Sequence, residues 1–208
     1  MSRTKASTAA PRAKLAPLKP VGAGDPRERI LDAALELFEE QGFDATAVPE
    51  VAKRAGVATG SIYRYFDSKD DLVNALYRTW KQRYYDMVLT EPPTNATART
   101  AFSHYWRGMA AFSRAHPKAA RFLDLHHHRG YLAEESLAPE RDGQAIAEAF
   151  ISRGVQSGEV RKIAPVVLIA LMTGAMRGLL AFADKGELTL DDATIRNIED
   201  CLWNGIKA

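Results

Sequence analysis

The chain has very little cysteine: Cys201 is the only one among its 208 residues. A single cysteine cannot form a disulfide within the chain, and no stretch near the start has the charged, apolar and small-residue order of a secretory signal. The expected compartment is therefore a reducing cytoplasm. Because Cys201 falls in an apolar stripe of the last predicted helix, we expect a small buried hydrophobic residue rather than a redox switch.

The sequence also lacks the patterns that indicate strands and catalytic sites. No window alternates apolar and polar residues long enough to predict a β-strand, and no internal repeat is evident. It contains no glycine-rich phosphate loop, nucleophile elbow or paired-carboxylate constellation. We therefore expect an all-α protein that is not an enzyme and holds no cofactor.

A short stretch, residues 51–66, has the spacing of two helices joined by a tight turn. Its apolar residues can share one core only if the first helix ends near Ala55, the chain turns at Gly56 and a second helix begins near Thr59. That arrangement is a helix-turn-helix. The second helix then presents hydroxyl groups and the Arg64 guanidinium outward, and such groups suit base edges and phosphate oxygens.

Residues 56–66 read GVATGSIYRYF and are followed by Ser68, Lys69 and Leu72. This run resembles the DNA-binding signature of the TetR family of transcriptional regulators, and the resemblance extends over about residues 27–76. It implies an all-α protein with a three-helix DNA-binding head at 25–70 and a larger helical ligand-binding and dimerisation body at 71–208. The DNA-contacting residues expected in the head are Thr46, Thr59, Gly60, Ser61, Tyr63, Arg64, Tyr65 and Lys69.

Within that head we expect Ser61 and Arg64 to lie nearest base edges, and Tyr63 and Lys69 to contact phosphates. Thr46 is the expected cap of the helix before the turn. Two positions depart from the family pattern, because Ala47 and Ala58 stand where a hydroxyl is usual.

The remaining helices follow from apolar periodicity and from breaking residues. Asp25 and Pro26 predict the start of a first helix that ends at Gly42. A long helix begins at 67–70 and runs to about residue 90, where it can join the head to the body. Five more are predicted at 95–116, 118–128, 144–156, 165–185 and 192–207.

Positive charge is concentrated at the start of the chain. Residues 1–24 carry five basic and no acidic residues, a charge of +5, so residues 25–208 sum to −3 of the net +2. The segment is rich in alanine and proline and is predicted to be disordered. It is either a solvated tail or a basic arm that reaches DNA phosphates.

Aromatic and methionine side chains are frequent in the body helices. Such side chains most often form the hydrophobic core of a protein, but their number here also favours a cavity for a flat or apolar molecule. The candidate pocket residues are Trp80, Tyr84, Phe102, Tyr105, Trp106, Met109, Phe112, Phe122, His126, Phe150, Met172 and Met176. Three interpretations are open for the run His126, His127, His128: an exposed surface segment, polar contacts at the mouth of the cavity, or a metal site. The metal site is the least favoured, because adjacent helical residues point about 100° apart and cannot bind one ion together.

The long apolar segment at 165–183 permits a membrane span or a buried soluble helix. Arg177 lies inside it and no second such segment is present, so the soluble alternative is favoured over membrane insertion. In the TetR resemblance, this helix and the last one make the four-helix bundle of a homodimer. The expected interface residues are Ala170, Gly174, Gly178, Ala181, Ile195, Ile198 and Leu202.

The sequence thus predicts a ligand-responsive regulator that binds a palindromic operator in double-stranded DNA as a homodimer. We expect a repressor that is released by an apolar or aromatic small molecule. Two alternatives remain open: a dimeric DNA-binding regulator without a ligand, and a small-molecule binder that has lost operator binding.

Overall fold

The computed structural model describes residues 24–125 and 131–208, and this part of the chain is all-α, as predicted. It contains nine helices and one isolated antiparallel bridge between Val160 and Lys207. The helices are α1 (Pro26–Gln41), α2 (Val48–Ala55), α3 (Thr59–Ile62), α4 (Lys69–Val88), α5 (Ala98–Ala115), α6 (Pro117–Leu125), α7 (Glu134–Gln156), α8 (Pro165–Asp184) and α9 (Asp192–Ile206).

Helix α1 begins and ends where the sequence predicts. The Asp25 carboxylate accepts a hydrogen bond from the Arg27 amide at 2.9 Å, and Pro26 occupies the first turn, where its missing amide costs nothing. Gly42 ends the helix with a φ of 85°, a conformation that glycine adopts without strain. The face of α1 that carries Ile30, Ala34 and Phe38 is fully buried.

Helices α2 and α3 form the predicted helix-turn-helix. Gly56 ends α2 in the left-handed conformation, and its amide donates to the Ala52 and Lys53 carbonyls. Ala52, Ile62 and Phe66 are all at most 2% exposed. These side chains close a small core against α1, so the core expected from the spacing is confirmed.

The expected capping role of Thr46 is wrong. The N-cap of α2 is Ala47, which has no hydroxyl, and the Glu50 carboxylate accepts from the Ala47 amide at 3.4 Å. Thr46 is only 1% exposed, and its hydroxyl donates to the Gly42 carbonyl at 2.7 Å. It therefore fixes the turn between α1 and α2, because a buried hydroxyl needs a partner close by.

Helix α4 runs without a break from the head into the body. Ser68 caps it by accepting from the Asp71 amide at 3.0 Å, and Leu72 and Leu76 are fully buried. Asn74 is buried on the same helix and donates to the Tyr131 carbonyl at 2.9 Å. Its amide oxygen accepts from the Ser136 hydroxyl at 2.7 Å, so α4 is pinned to the start of α7.

Helix α7 starts ten residues earlier than the sequence predicts, at Glu134 rather than at 144. Pro139 and Gly143 both disfavour helix. Contacts elsewhere in the fold outweigh them: Ser136 is buried and accepts a hydrogen bond from the Arg78 guanidinium at 2.8 Å.

Helix α8 is buried on one side only, which corrects the expectation of a helix buried on most sides. Leu168, Met172 and Met176 face the core, whereas Val166 is 63% exposed and Phe182 is 49% exposed. Within the described residues, α8 is the one helix long and apolar enough to cross a membrane, with a mean hydropathy of 2.0. Length and composition alone are weak evidence for a span, because apolar helices of soluble proteins share them.

Candidate DNA-binding surface and ligand cavity

The outward side of α3 and the turn after it carry most of the residues predicted to contact DNA. Helix α3 faces the core with Ile62, so its other side chains point away from the protein. Tyr63 is 53% exposed, and Arg64 is exposed and forms no side-chain hydrogen bond or ion pair in the described part of the chain. The exposed or half-exposed members of the predicted set are Thr59, Gly60, Ser61, Tyr63, Arg64, Tyr65 and Lys69.

Thr46 and Lys69 differ from that surface. Thr46 is buried under the α1–α2 turn and cannot reach DNA without unfolding that turn. The Lys69 ammonium lies 4.3 Å from the centre of the Phe43 ring and donates to the Asp44 carbonyl at 3.3 Å. An ammonium has three donors, so Lys69 retains the capacity to bind a phosphate.

The basic residues near the helix-turn-helix are not all available. Arg54 forms ion pairs with Glu36 at 3.0 Å and Glu40 at 3.3 Å, both on α1. It therefore holds α2 against α1, and its positive charge is partly neutralised by these two carboxylates. Lys53 and Arg64 are exposed beside it.

The body contains an open cavity of about 590 Å³ lined by α4, α5, α6, α7 and α8. This size suits a drug-sized molecule. Eight of the twelve predicted pocket residues line it, namely Tyr84, Phe102, Tyr105, Met109, Phe112, Phe150, Met172 and Met176.

Three predicted pocket residues belong to the core instead. Trp106 is fully buried and its indole N–H donates to the Ile195 carbonyl at 2.9 Å, which turns it toward α9. Trp80 packs against the His116 ring at 5.2 Å between centres, and Phe122 is 1% exposed. The fourth, His126, lies outside the described residues, as do His127 and His128.

The cavity wall also contains polar and small residues that were not predicted from the sequence. They include Lys81 and Tyr85 on α4, Ser113 on α5, and Thr173 and Arg177 on α8. Helical spacing could have placed Lys81 and Tyr85 beside Tyr84. Of the residues that α7 contributes, namely Gly143, Gln144, Ile146, Ala147 and Phe150, only Phe150 was predicted, although all but Gly143 lie within the predicted helix at 144–156.

An open apolar stripe lies on α8 and α9, where the dimer interface is expected. Ala170 and Gly174 are exposed, and a methyl group added at Gly174 or Gly178 would meet no atom within 4 Å. Ala181, Ile198 and Leu202 are half-buried. Ile195 is different, because its side chain is buried within its own chain.

Cys201 lies beside Leu202 on α9 and is exposed, so the expectation of a buried cysteine is wrong for the single chain. The rest of the chain therefore covers only part of the apolar stripe of α9 and leaves the remainder exposed. Among the described residues, no three His, Cys, Asp or Glu side chains come together to hold a metal ion.

Known proteins resemble the chain over most of its length. The fatty acid metabolism regulator protein of Bacillus subtilis is 26% identical over 136 residues, which is 64% of this chain and 70% of that protein. A TetR family transcription regulator from Marinobacter aquaeolei superposes with a TM-score of 0.77 at 21% identity, over 88% of this chain and 95% of that one.

The transcriptional regulator FadR of B. subtilis, solved in complex with stearoyl-CoA, superposes with a TM-score of 0.70 at 22% identity. That comparison covers 86% of this chain and 98% of FadR. At these identities the two structural likenesses establish the fold alone.

Family models account for nearly the whole described fold. Residues 30–76 match the model described as bacterial regulatory proteins, tetR family, and these residues contain the helix-turn-helix. Residues 77–208 match the model of the tetracyclin repressor-like C-terminal domain, which contains the cavity and the apolar stripe. The chain therefore belongs to the TetR family of DNA-binding transcriptional regulators.

Proposed function

We propose that the protein is a homodimeric repressor that binds a near-palindromic operator and is released by a small apolar or aromatic molecule. It would act in the cytoplasm and catalyse no reaction. The observation that carries the proposal is the position of the cavity: two of the helices that wall it, α4 and α6, also contact the DNA-binding head.

Helix α4 provides the first connection. Tyr84 and Tyr85 line the cavity near one end of the helix, while Leu72 and Leu76 are buried near the other. A helix of 20 residues is about 30 Å long and transmits a displacement along its length. A ligand that shifts the cavity end of α4 would therefore move the head.

Helix α6 provides the second connection. Ala120 and Leu123 line the cavity, while Lys118 and Arg121 on the same helix form ion pairs with α1. Lys118 lies 3.2 Å from Glu36, and Arg121 lies 2.6 Å from Glu39. Arg121 also lies 3.0 Å from Asp184 at the end of α8, so α6 links the head to two parts of the body.

Release of the operator requires the ligand to prefer the shape of the dimer that does not bind DNA. The two recognition helices must meet successive major grooves, about 34 to 36 Å apart. A hundredfold preference of the ligand for the other shape is worth about 2.7 kcal/mol, which is enough to lower operator affinity a hundredfold.

The division into functional regions follows from this proposal. Residues 25–70 bind DNA through the α3 surface, with Arg64 and Ser61 nearest the bases. Residues 71–208 bind the ligand and form the dimer through the apolar stripe of α8 and α9. Residues 1–24, of which 1–23 lie outside the described part, supply a basic arm.

One experiment separates the proposal from its alternatives. Purified protein and a Lys69→Ala variant are titrated with fluorescent random-sequence duplex DNA at physiological salt, and both are titrated separately with an apolar fluorescent dye. We expect DNA binding that the variant weakens, and dye binding that both share. Dye binding without DNA binding would favour a protein that has lost its operator, and DNA binding without dye binding would favour a regulator without a ligand.

A further inference from the structure

We propose that the cavity selects an organic anion, a molecule with an apolar body and a negatively charged end, and that Arg177 recognises the charged end. The inference rests on the proposed function only where this molecule is taken to be the effector that releases DNA. The binding preference itself concerns the cavity and can be measured without DNA.

The charges on the cavity wall favour an anion. Among the described residues that line it, two are cationic, Lys81 and Arg177, and none is Asp or Glu. The rest of the wall is mainly apolar or aromatic, so charge interactions there are screened less than in water. Within the described wall a cationic ligand would meet only like charges, whereas an anion would meet two opposite ones.

Arg177 is the cation that remains available. It is exposed on α8 and forms no hydrogen bond or ion pair in the described part of the chain. Its planar guanidinium can donate two parallel hydrogen bonds to a carboxylate or a similar oxyanion. Lys81 is already engaged, since its ammonium lies 5.6 Å from the ring centres of both Tyr84 and Tyr85.

Two hydroxyl groups inside the cavity have no partner of their own. Ser113 is 4% exposed and lines the cavity, and neither it nor Tyr105 forms a hydrogen bond in the part of the chain that the structure describes. The Ser113 oxygen is not sealed from solvent, so its hydroxyl can donate to a ligand oxygen that enters the cavity. Burial raises the pKa of Tyr105, with Glu91 adding to the effect and Arg153 opposing it, so its phenol stays protonated as a donor.

These groups define the ligand by its chemistry. The apolar side chains of Phe102, Phe150 and Met172 accept a chain or ring system, and Ser113 and Tyr105 donate hydrogen bonds to oxygens along it. Arg177 neutralises the negative end. A neutral or cationic molecule of the same shape would leave these donors unpaired and is rejected accordingly.

The test uses three probes with one alkyl chain and different end groups: dodecanoate, 1-dodecanol and dodecyltrimethylammonium. Each is titrated into the full-length protein by calorimetry below its micelle concentration. We expect dodecanoate to bind at least about tenfold more tightly than the other two, because a charge-assisted hydrogen bond is worth more than a tenfold step.

Two variants locate the source of the preference. Arg177→Gln should reduce the advantage of dodecanoate to less than about threefold while leaving dodecanol binding unchanged. Lys162→Gln removes the same charge from an exposed position outside the cavity and should preserve the advantage. If both variants lost the dodecanoate preference equally, the preference would come from the overall charge of the protein and not from Arg177. That result would overturn the proposal.

The remaining outcomes are also decisive. Equal binding of all three probes, tighter binding of the cation, or no binding by any probe would each contradict anion selection. Failure of the proposed function looks different: dodecanoate would bind through Arg177, but operator affinity would not change when it is added.

Discussion

Arg64 and Lys69 are cations of the head that differ in their surroundings, and we predict different roles for them toward DNA. Arg64 is exposed and unpaired in the described part of the chain, so its guanidinium is free to reach a base edge. Lys69 is fixed against Phe43 and the Asp44 carbonyl, at the edge of the same surface. We therefore predict direct base readout for Arg64 and phosphate contact for Lys69.

Replacing these residues separates the roles. Arg64→Ala should cost about 1 to 3 kcal/mol on the preferred operator and relax the preference at particular base pairs. Lys69→Ala should weaken all sequences alike. Fluorescence anisotropy with the preferred operator and with single-base variants measures both, and Lys162→Ala on the body serves as control. Operator binding that survives both changes would show that the assignment is wrong.

Gly154 permits a close approach between α7 and the segment after it. A methyl group at this position would lie 2.5 Å from a methyl carbon of Val160, which is itself buried. Gly154→Ala should therefore lower the free energy of unfolding by about 1 to 3 kcal/mol. Urea unfolding measures the change.

Shortening Val160 supplies the matched control for that change. In the double variant Gly154→Ala, Val160→Ala the 2.5 Å contact with the valine methyl carbon is removed and only the 2.9 Å contact with the Cβ of residue 160 remains. The two substitutions should therefore cost less together than the sum of their separate effects. Additive losses would mean that the close contact is not the cause.

Single residues were predicted well where helical spacing alone decides their direction. Tyr63 and Arg64 were expected to point outward because Ile62 and Phe66 must point inward, and they do. Spacing could not reveal that the Thr46 hydroxyl bonds to the Gly42 carbonyl, or that the Trp106 indole turns to α9. Both depend on groups brought together by the fold.

At the scale of elements, ion pairs around Glu36 join α1 to both α2 and α6. Hydrogen bonds from Arg54 and then Lys118 lower the pKa of the Glu36 carboxyl, in spite of an opposing contribution from burial. Because its folded-state pKa is depressed, Glu36 contributes stability above its ordinary pKa of about 4.3, and this stability is lost as the pH falls through the lowered value.

Glu36→Gln should therefore destabilise the protein more at pH 7 than at pH 3. The carboxylate side chain is 40% exposed, so solvent screening limits the loss at pH 7 to about 1 kcal/mol or less. Urea midpoints at the two pH values test this, with the exposed Glu187→Gln as control. A gap between wild type and variant that is the same at both pH values would contradict the proposed source of stability.

Whole helices were easiest to predict where a cap and a stripe agree. Asp25, Pro26 and Gly42 mark the ends of α1 unambiguously. The start of α7 was missed because Ser136 and its partners on α4 override local propensity, and those partners lie about 60 residues away in the chain. The open side of α8 could not be predicted from periodicity, because an apolar pattern is the same whether its own chain or a second copy covers the helix. It was expected only from the family resemblance, which implies a dimer interface there.

At the scale of the whole molecule, the open stripe on α8 makes a sharp prediction about assembly. A Cβ atom added at Gly174 or Gly178 would meet nothing within 4 Å in the single chain, so we expect the monomer to tolerate a larger residue there. Gly174→Leu and Gly178→Leu should therefore leave the monomer fold intact but force apart two copies that approach through this stripe.

Sedimentation velocity and operator titration check this together. We expect monomers and weakened operator binding for both variants, with the helical circular dichroism spectrum unchanged. Ala111→Leu, a similar enlargement at an exposed position on α5, should remain dimeric. A variant at Gly174 or Gly178 that remains dimeric would place the interface elsewhere.

The uneven charge of the chain gives a prediction for residues 1–24. Residues 25–208 sum to −3 and are weakly repelled by DNA, while the five basic residues of the first 24 reverse that balance. Each phosphate contact releases about 0.9 counterion. With two or three contacts in each subunit, deletion of 1–24 should flatten the slope of log K against log salt by about 4 to 5 units.

Sequence preference should hardly change in that deletion, because contacts to phosphates carry no base information. Operator titrations at four salt concentrations with both proteins measure the slope. Parallel lines would mean that the segment is only a solvated tail.

The central claim, a dimeric DNA-binding regulator, is tested most directly by selecting bound sequences from random duplex DNA with the purified protein. The account predicts an enriched inverted repeat whose half-sites are centred about one helical turn, 10 to 10.5 base pairs, or a multiple of it apart. An Arg64→Ala selection run in parallel should yield a weaker consensus. Recovery of no consensus, or of one without two-fold symmetry, would contradict the account.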